Sequence, residues 1–319
     1  YDFGMRAVNT VIQAAGNNMA AAKGDPDLVE DLLVLSALAD SNRPKFLAED
    51  MLLFNSILSD LFPGMEVPKA DYTDLVERIT VHCNQRNLIA TEAFLFKCIQ
   101  IYEVSVLRHG LMTVGPSGGA KTTAMHVLNA AMADLDGVNE KYSKVNRWIL
   151  NPKAITMGQL YGEFDENTHE WTDGILCVLY RAAVKEFGEF GRTDRNWVVF
   201  DGPVDALWIE SMNTVLDDNK KLCLVSGEII SMTPYMNMLF EVEDLAVASP
   251  ATVSRVGTIF MEPEKVVGPR AQIDSWLRSL HAVVQPHKER LEELLTKLLP
   301  EMVEFTRKKT KEYVPTVEN

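Results

Sequence analysis

The chain is predicted to be an α/β protein: a mainly parallel sheet covered by helices, with helical regions on both flanks. Three observations predict it. Short apolar runs alternate with helical spacing through about residues 67–261. A glycine-rich loop (Gly115, Pro116, Ser117, Gly118, Gly119, Ala120, Lys121, Thr122) stands between an apolar run and an amphipathic one. On either side of that segment the period becomes purely helical. At 319 residues the chain can bury a large core, so one large domain with smaller helical attachments is expected.

The first third reads as helices over about 4–20, 26–40 and 48–60, with apolar residues at mixed three- and four-residue intervals. Gly24-Asp-Pro26 and Asn42-Arg-Pro44 punctuate them, and Phe62-Pro-Gly-Met65 ends the unit. A helix near 70–82 and a longer one near 86–107 follow, with Leu88, Phe94, Phe96, Ile99 and Tyr102 as packing residues. Strands are expected at about 111–114, 145–150, 197–200, 222–225, 238–243 and 257–260. Helices are expected between them near 122–134, 157–161, 174–188 and 205–216, which places ligand loops at strand C-termini. After Glu262-Pro263 the chain is helical again, and Pro286 is expected to bend or divide it. Lys288–Lys311 reads as a solvated helix with one packed apolar stripe, and no long heptad array supports a coiled-coil stalk within the chain.

The glycine-rich loop follows Leu111-Met-Thr-Val114 and leads through Thr123 into a helical run, the strand, loop, helix context that a phosphate-binding loop requires. Backbone N–H groups at the helix start would surround phosphates, Lys121 would add a point charge, and the Thr122 hydroxyl would ligate Mg2+. The motif's last glycine is replaced by Ala120, whose β-carbon narrows the choice of backbone path without forbidding binding. A glycine-rich turn before an ordinary helix would explain the glycines and leave the Lys-Thr pair a coincidence. Further along, Trp197-Val-Val-Phe200 ends in Asp201, a carboxylate placed to orient Mg2+ directly or through water. Gly202 follows, where hydrolysis needs a polar side chain to position water. Asp205, Glu210 and Asp217 are candidate substitutes. The expectation is retained ATP or ADP binding with weak or absent hydrolysis.

Forty-five acidic against thirty-one basic residues give a net charge of -14, which argues against a broad nucleic-acid or anionic membrane surface. Cys83, Cys98, Cys177 and Cys223 are dispersed, with neither zinc spacing nor a disulfide framework, which fits a reduced cytosolic setting and a role as small buried hydrophobes. No apolar stretch approaches transmembrane length, and the first residues lack a signal-peptide pattern. A chain that opens on Tyr1 is expected to be a fragment or a processed form.

Several longer strings are more specific than the loop. Tyr1-Asp-Phe-Gly-Met-Arg6-Ala-Val, Asn42-Arg-Pro-Lys-Phe46, Asp60-Leu-Phe-Pro-Gly64, Asn151-Pro-Lys-Ala-Ile-Thr-Met-Gly-Gln-Leu-Tyr161 and Glu170-Trp-Thr-Asp-Gly174 are five of them. Phe200-Asp-Gly-Pro-Val-Asp205, Met212-Asn-Thr-Val-Leu-Asp-Asp-Asn219 and Ala248-Ser-Pro-Ala-Thr-Val-Ser-Arg255 complete the set. Together they resemble a dynein heavy chain over nearly the whole sequence, in the first-to-second AAA+ region of its motor ring. The phosphate loop and Lys220-Lys-Leu-Cys-Leu-Val-Ser-Gly-Glu-Ile-Ile230 resemble axonemal more than cytoplasmic members.

That resemblance implies an AAA+ P-loop NTPase fold, a three-layer αβα domain with helical flanks. Residues 1–66 would be the helical lid of the first module, 67–261 the nucleotide-binding part of the second, and 262–319 the helical start of the following small domain or linker. Arg6 then resembles a lid arginine that senses nucleotide in the preceding site, and Arg255 an arginine finger offered to it. A guanidinium suits this task because its fixed fork of donors neutralises charge on phosphate oxygens. Lys121, Thr122 and Asp201 match phosphate- and magnesium-binding positions, and Asp244 takes the place of a polar sensor, commonly Asn. An acid there would bring negative charge toward phosphate, which weakens the case for hydrolysis. The resemblance further implies partnership with other AAA+ modules and the linker of the same chain, and with intermediate chains, light chains and microtubules through the whole protein. It implies a cytoplasmic, cytoskeletal setting in the axoneme of a cilium or flagellum, with a coiled coil elsewhere in the full-length protein. Without it, Arg6 would be a helix-surface residue and Arg255 a structural salt-bridge partner. A stand-alone P-loop ATPase or kinase and a nucleotide-independent helical scaffold are the alternative classes.

Overall fold

The computed structural model describes residues 4–21, 29–43, 46, 48–65, 71–191, 193–217 and 219–311. The 26–28 start of the second expected helix and the expected boundary at 66/67 lie outside the described residues. The chain divides into two compact units. One comprises Tyr1–Asp71, Gln100–Val114 and Ser143–Phe260, the other Tyr72–Ile99, Gly115–Tyr142 and Met261–Asn319.

The first unit begins with α1 (Met5–Ala21), α2 (Glu30–Asn42) and α3 (Ala48–Leu61). Leu35, Ala39 and Leu58 form a small buried cluster there, ringed by Phe54, Phe62 and Met65. The unit's sheet joins β1 (Gly110–Val114), β2 (Val145–Leu150), β5 (Arg195–Asp201), β8 (Met236–Val242) and β9 (Gly257–Phe260) in the order β2-β5-β8-β1-β9. Every pairing is parallel. Strands β1 and β8 are buried along their whole length, which is why they read as continuous apolar runs without alternation. One face packs on α8 (Ile175–Phe190) through Leu176, Cys177 and Tyr180, and on α9 (Ala206–Glu210) and α10 (Asn213–Leu216) through Trp208 and Val215. Phe200, Phe240 and Trp208 stack with centroids 5.1–5.9 Å apart just before the ends of β5 and β8. These rings make the C-terminal edge of the sheet rigid where Asp201 leaves it.

A parallel sheet flanked by helices bears out the expected α/β class. Local departures have local causes. The strand expected at 222–225 is outside the main sheet: β6 (Lys221–Cys223) pairs antiparallel with β7 (Ile229–Ser231), and of the two strands only Leu222 and Ile230 are buried. A three-residue strand with one inward side chain suffices for a hairpin, turned here by Gly227 at φ +88°. A second hairpin, β3 (Gly162–Phe164) with β4 (Trp171–Asp173), follows α7 (Met157–Tyr161), whose start is a capping box between Thr156 and Gln159. The helix expected over 205–216 is two short ones.

The second unit holds α4 (Thr73–Gln85), the start of α5 (Glu92–Leu107), α6 (Lys121–Leu135), α12 (Pro263–Val266), α13 (Gly268–Arg278) and α14 (Lys288–Lys309). α5 starts at Glu92 and not near 86, because Asn87 takes φ 57° and Thr91 Oγ1 accepts the Phe94 N–H at 3.1 Å. Leu75, Ile79 and Cys83 of α4 are buried, as are Met125, Leu128 and Met132 of α6, and His82 Nε2 lies 2.9 Å from Asp134 Oδ2 across the pair. Ser275 Oγ donates to Asn87 O at 2.6 Å and Arg278 to Asn84 Oδ1 at 3.2 Å, which ties α13 to the end of α4. Pro286 divides the last helical stretch as expected, within a 3-10 turn over Gln285–His287.

Candidate functional site

The phosphate loop lies in the second unit and is shaped by backbone crowding. A β-carbon on Gly115 would stand 2.1 Å from the Met261 carbonyl oxygen, and one on Gly119 would stand 2.9 Å from the same oxygen. Both positions therefore need glycine because main chain already occupies the space. Gly118 has φ 85°, and Gly119 N–H donates to Pro116 O at 3.2 Å, closing the turn over Ser117. Ala120 has φ 60° and ψ 22° and serves as the N-cap of α6. The β-carbon thus leaves the left-handed path in place, at a cost of roughly 1–2 kcal/mol for an L-residue.

With no side chain capping α6, its first N–H groups face the loop together with the helix's positive end. Lys121 Nζ donates to Gly115 O at 2.5 Å and Pro116 O at 3.0 Å, so the ammonium is held over the loop. Thr122 and Thr123 follow on the first turn. Main-chain donors, one ammonium and one hydroxyl fit the phosphates of a nucleotide. Among the described residues no three His, Cys, Asp or Glu side chains cluster as a metal cage. A Mg2+ ion held by one or two protein oxygens and substrate phosphates needs no such cage.

In the sheet unit, Asp201 is the exposed last residue of β5, in register with the buried Glu241 of β8. Gly202 donates its N–H to Glu241 O at 3.3 Å, and a β-carbon on it would lie 3.2 Å from Asn151 Oδ1. Two of the acids considered as substitutes for a side chain at 202 are already engaged. Asp205 Oδ2 accepts from Lys153 Nζ at 2.8 Å, and Asp217 Oδ1 binds Arg255 Nε at 2.6 Å, while Glu210 is exposed. Asp244, just beyond β8, turns Oδ1 onto its own backbone to accept the Ala246 N–H at 2.9 Å. That closed turn is the local habit of aspartate at a strand end.

Arg255 ends α11 (Pro250–Arg255), a short helix begun by Pro250 and by Ser249, whose Oγ accepts the Thr252 N–H at 3.3 Å. Its Nη1 donates to Ala251 O at 2.6 Å, and its side chain is only 14% exposed. Arg6 lies on α1, and its side chain is outside the described residues.

Sequence reasoning missed the pair that precedes β1. Arg108 Nη1 donates to Ser254 O at 3.5 Å and Val256 O at 3.4 Å, the carbonyls on either side of Arg255, while Nη2 donates to Thr10 Oγ1 at 2.9 Å. His109 Nε2 stands 3.1 Å from both Val215 O and Leu216 O. Carbonyls only accept, so Nε2 carries the proton. The available signal was an Arg-His break between an apolar helix and an apolar strand.

A parallel sheet carrying a phosphate loop on one of its central strands, with Lys-Thr opening the next helix, is an AAA+ P-loop NTPase module. Residues 1–122 match the family model for the hydrolytic ATP binding site of the dynein motor region, and residues 110–256 match an AAA domain of the dynein-related subfamily. Over 98% of its length the chain is 52% identical to dynein axonemal heavy chain 1 of Mus musculus and 49% identical to dynein axonemal heavy chain 12 of the same species. It is 45% identical over its full length to dynein axonemal heavy chain 6 of Homo sapiens. The chain belongs to the axonemal dynein heavy chains as an AAA+ segment, and spans 7%, 10% and 8% of the length of these three relatives.

Proposed function

We propose that the chain joins two modules of a dynein motor ring: the helical lid of the first over 1–66, and the nucleotide-binding part of the second over 67–261, with 262–319 opening the next small domain or linker. In this reading the phosphate loop from Gly115 to Thr123 holds ATP or ADP, and Thr122 and Asp201 hold Mg2+. The nucleotide has a structural or regulatory role. Arg255 and Arg6 serve hydrolysis at the preceding site, and the whole heavy chain, with its intermediate and light chains, drives microtubule-based movement in the axoneme.

The observation that carries the division between binding and hydrolysis is Gly202. The phosphate loop keeps its main-chain donors with Lys121 and Thr122, yet the residue after Asp201 has no side chain, and the neighbouring Asp205 is paired with Lys153. The two matched family models overlap at 110–122, in the strand and phosphate loop, and neither ends at the proposed 66/67 boundary.

The test is identification by mass of nucleotide retained by the folded chain, followed by incubation with ATP and Mg2+ to count ADP released. Retained nucleotide without repeated turnover is expected. Repeated turnover that Lys121→Ala abolishes would make this pocket an ATPase in its own right. In a full motor, Lys121→Ala is expected to lower nucleotide retention and stability while changing turnover much less than Arg255→Ala does.

A further inference from the structure

Asp217 has no role in the reading above, yet it holds the arginine on which that reading depends. Its Oδ1 lies 2.6 Å from Arg255 Nε, while Nη1 is taken by Ala251 O at 2.6 Å. The remaining nitrogen, Nη2, makes no hydrogen bond among the described residues. We infer that Asp217 is a positioning residue: it grips the inner edge of the guanidinium and leaves the Nη2 edge to meet a phosphoryl oxygen of the neighbouring module. This inference rests on the proposed role of Arg255.

The physical case is preorganisation. A long arginine side chain free in water must lose rotamer freedom each time it engages a phosphate. Fixed at Nε and Nη1, the planar fork can rotate little, so a donor is presented without reorganisation at the moment of reaction. The scaffold holding the carboxylate is itself braced. Thr252 Oγ1 donates to Asn213 Oδ1 at 3.2 Å, so α10 and α11 are joined by two polar rungs, Asn213–Thr252 and Asp217–Arg255. His109 binds the carbonyls immediately before Asp217, and Arg108 binds those flanking Arg255. An ion pair serving only surface solubility would not need five further contacts to fix both of its partners.

The test is ATP turnover by the full heavy-chain motor carrying Arg255→Ala, Asp217→Ala, Asp217→Asn, or Asp217→Ala together with Arg255→Ala. A displacement of about 1 Å in a catalytic group costs up to about 100-fold, so Asp217→Ala is expected to lower kcat roughly 10- to 100-fold with KM within about twofold. Asp217→Asn keeps an acceptor for Nε and is expected to recover part of that loss. The double variant should turn over no more slowly than Arg255→Ala alone, because a residue acting only through the arginine has nothing left to position. Losses that multiply in the double variant, or wild-type kcat in Asp217→Ala beside a crippled Arg255→Ala, would overturn the inference. If Asp217→Ala fails to fold, the same cycle is read with Asp217→Asn. Normal turnover by Arg255→Ala would remove the role of Arg255 itself, and the inference with it.

Discussion

Gly115→Ala puts the phosphate loop under the sharpest test. The added β-carbon would sit 2.1 Å from the Met261 carbonyl oxygen, 3.0 Å from its carbonyl carbon and 3.3 Å from its β-carbon. Ordinary contact begins near about 3.4 Å, so the two backbones must separate by about 1.3 Å, and main chain cannot yield by changing rotamer. Overpacking of this kind costs about 1–3 kcal/mol, and the upper end applies because backbone obstructs. For domains of this size about 3 kcal/mol corresponds to a fall in Tm of roughly 6–12 °C. The assay is thermal unfolding with and without ADP and Mg2+, beside a direct binding titration, and nucleotide-dependent stabilisation should also shrink as the loop opens. Ala120→Gly is the opposing control. It relieves roughly 1–2 kcal/mol of left-handed strain. Against that stands about 0.5–1 kcal/mol of extra backbone entropy for glycine, so the net gain is about 0–1.5 kcal/mol. A Gly115→Ala protein that melts within a degree of wild type and binds nucleotide equally would refute the claim that backbone packing against Met261 shapes the loop.

Two further predictions concern other parts of the molecule. Hydrogen bonds from Arg181, at 2.5 Å and 3.1 Å, and from Trp171, at 2.7 Å, hold the Asp173 carboxyl down to about 2. Because the folded pKa lies below the unfolded one of about 3.9, this contribution is complete above about pH 4 and drains away as pH falls toward about 2. The urea midpoint of wild type minus that of Asp173→Asn should therefore be constant from pH 7 to 5 and shrink below pH 4, and a difference undiminished at pH 3 would contradict it. Among the four thiols, Cys223 is exposed while Cys83, Cys98 and Cys177 are buried, with burial pushing Cys83 and Cys177 up to about 11. A maleimide at neutral pH should label one site per folded chain, identified by peptide mapping as Cys223, and the other three only in denaturant. Rapid labelling of Cys98 in the native chain would show that the packing between α5 and Ala124 of α6 opens readily.

What was legible in the residues was whatever depends on neighbours along the chain. The apolar run into Gly115 and the helical spacing after Lys121 placed β1, the loop and α6 close to where they lie, and Pro286 marked the break before α14. The Arg255–Asp217 pair was half legible, since a structural ion pair was the alternative for Arg255, but its partner stands 38 residues away in the chain. The sequence offers Asp205 and Asp217 as candidates to position water, because distance along the chain does not say that Lys153 and Arg255 claim them.

The sequence by itself determined the class: period, glycine and proline punctuation, and the Lys-Thr pair act over a few residues, so strand, loop and helix are encoded locally. Only the tertiary structure decided the strand order β2-β5-β8-β1-β9, the exclusion of β6 and β7 from that sheet, and the left-handed turn at Ala120. It also decided that, of the two residues before β1, Arg108 braces the segment of Arg255 and His109 that of Asp217. Each of these depends on which backbone reaches a given carbonyl first. Such competition is settled by chain segments far apart in sequence, whose meeting no local pattern records.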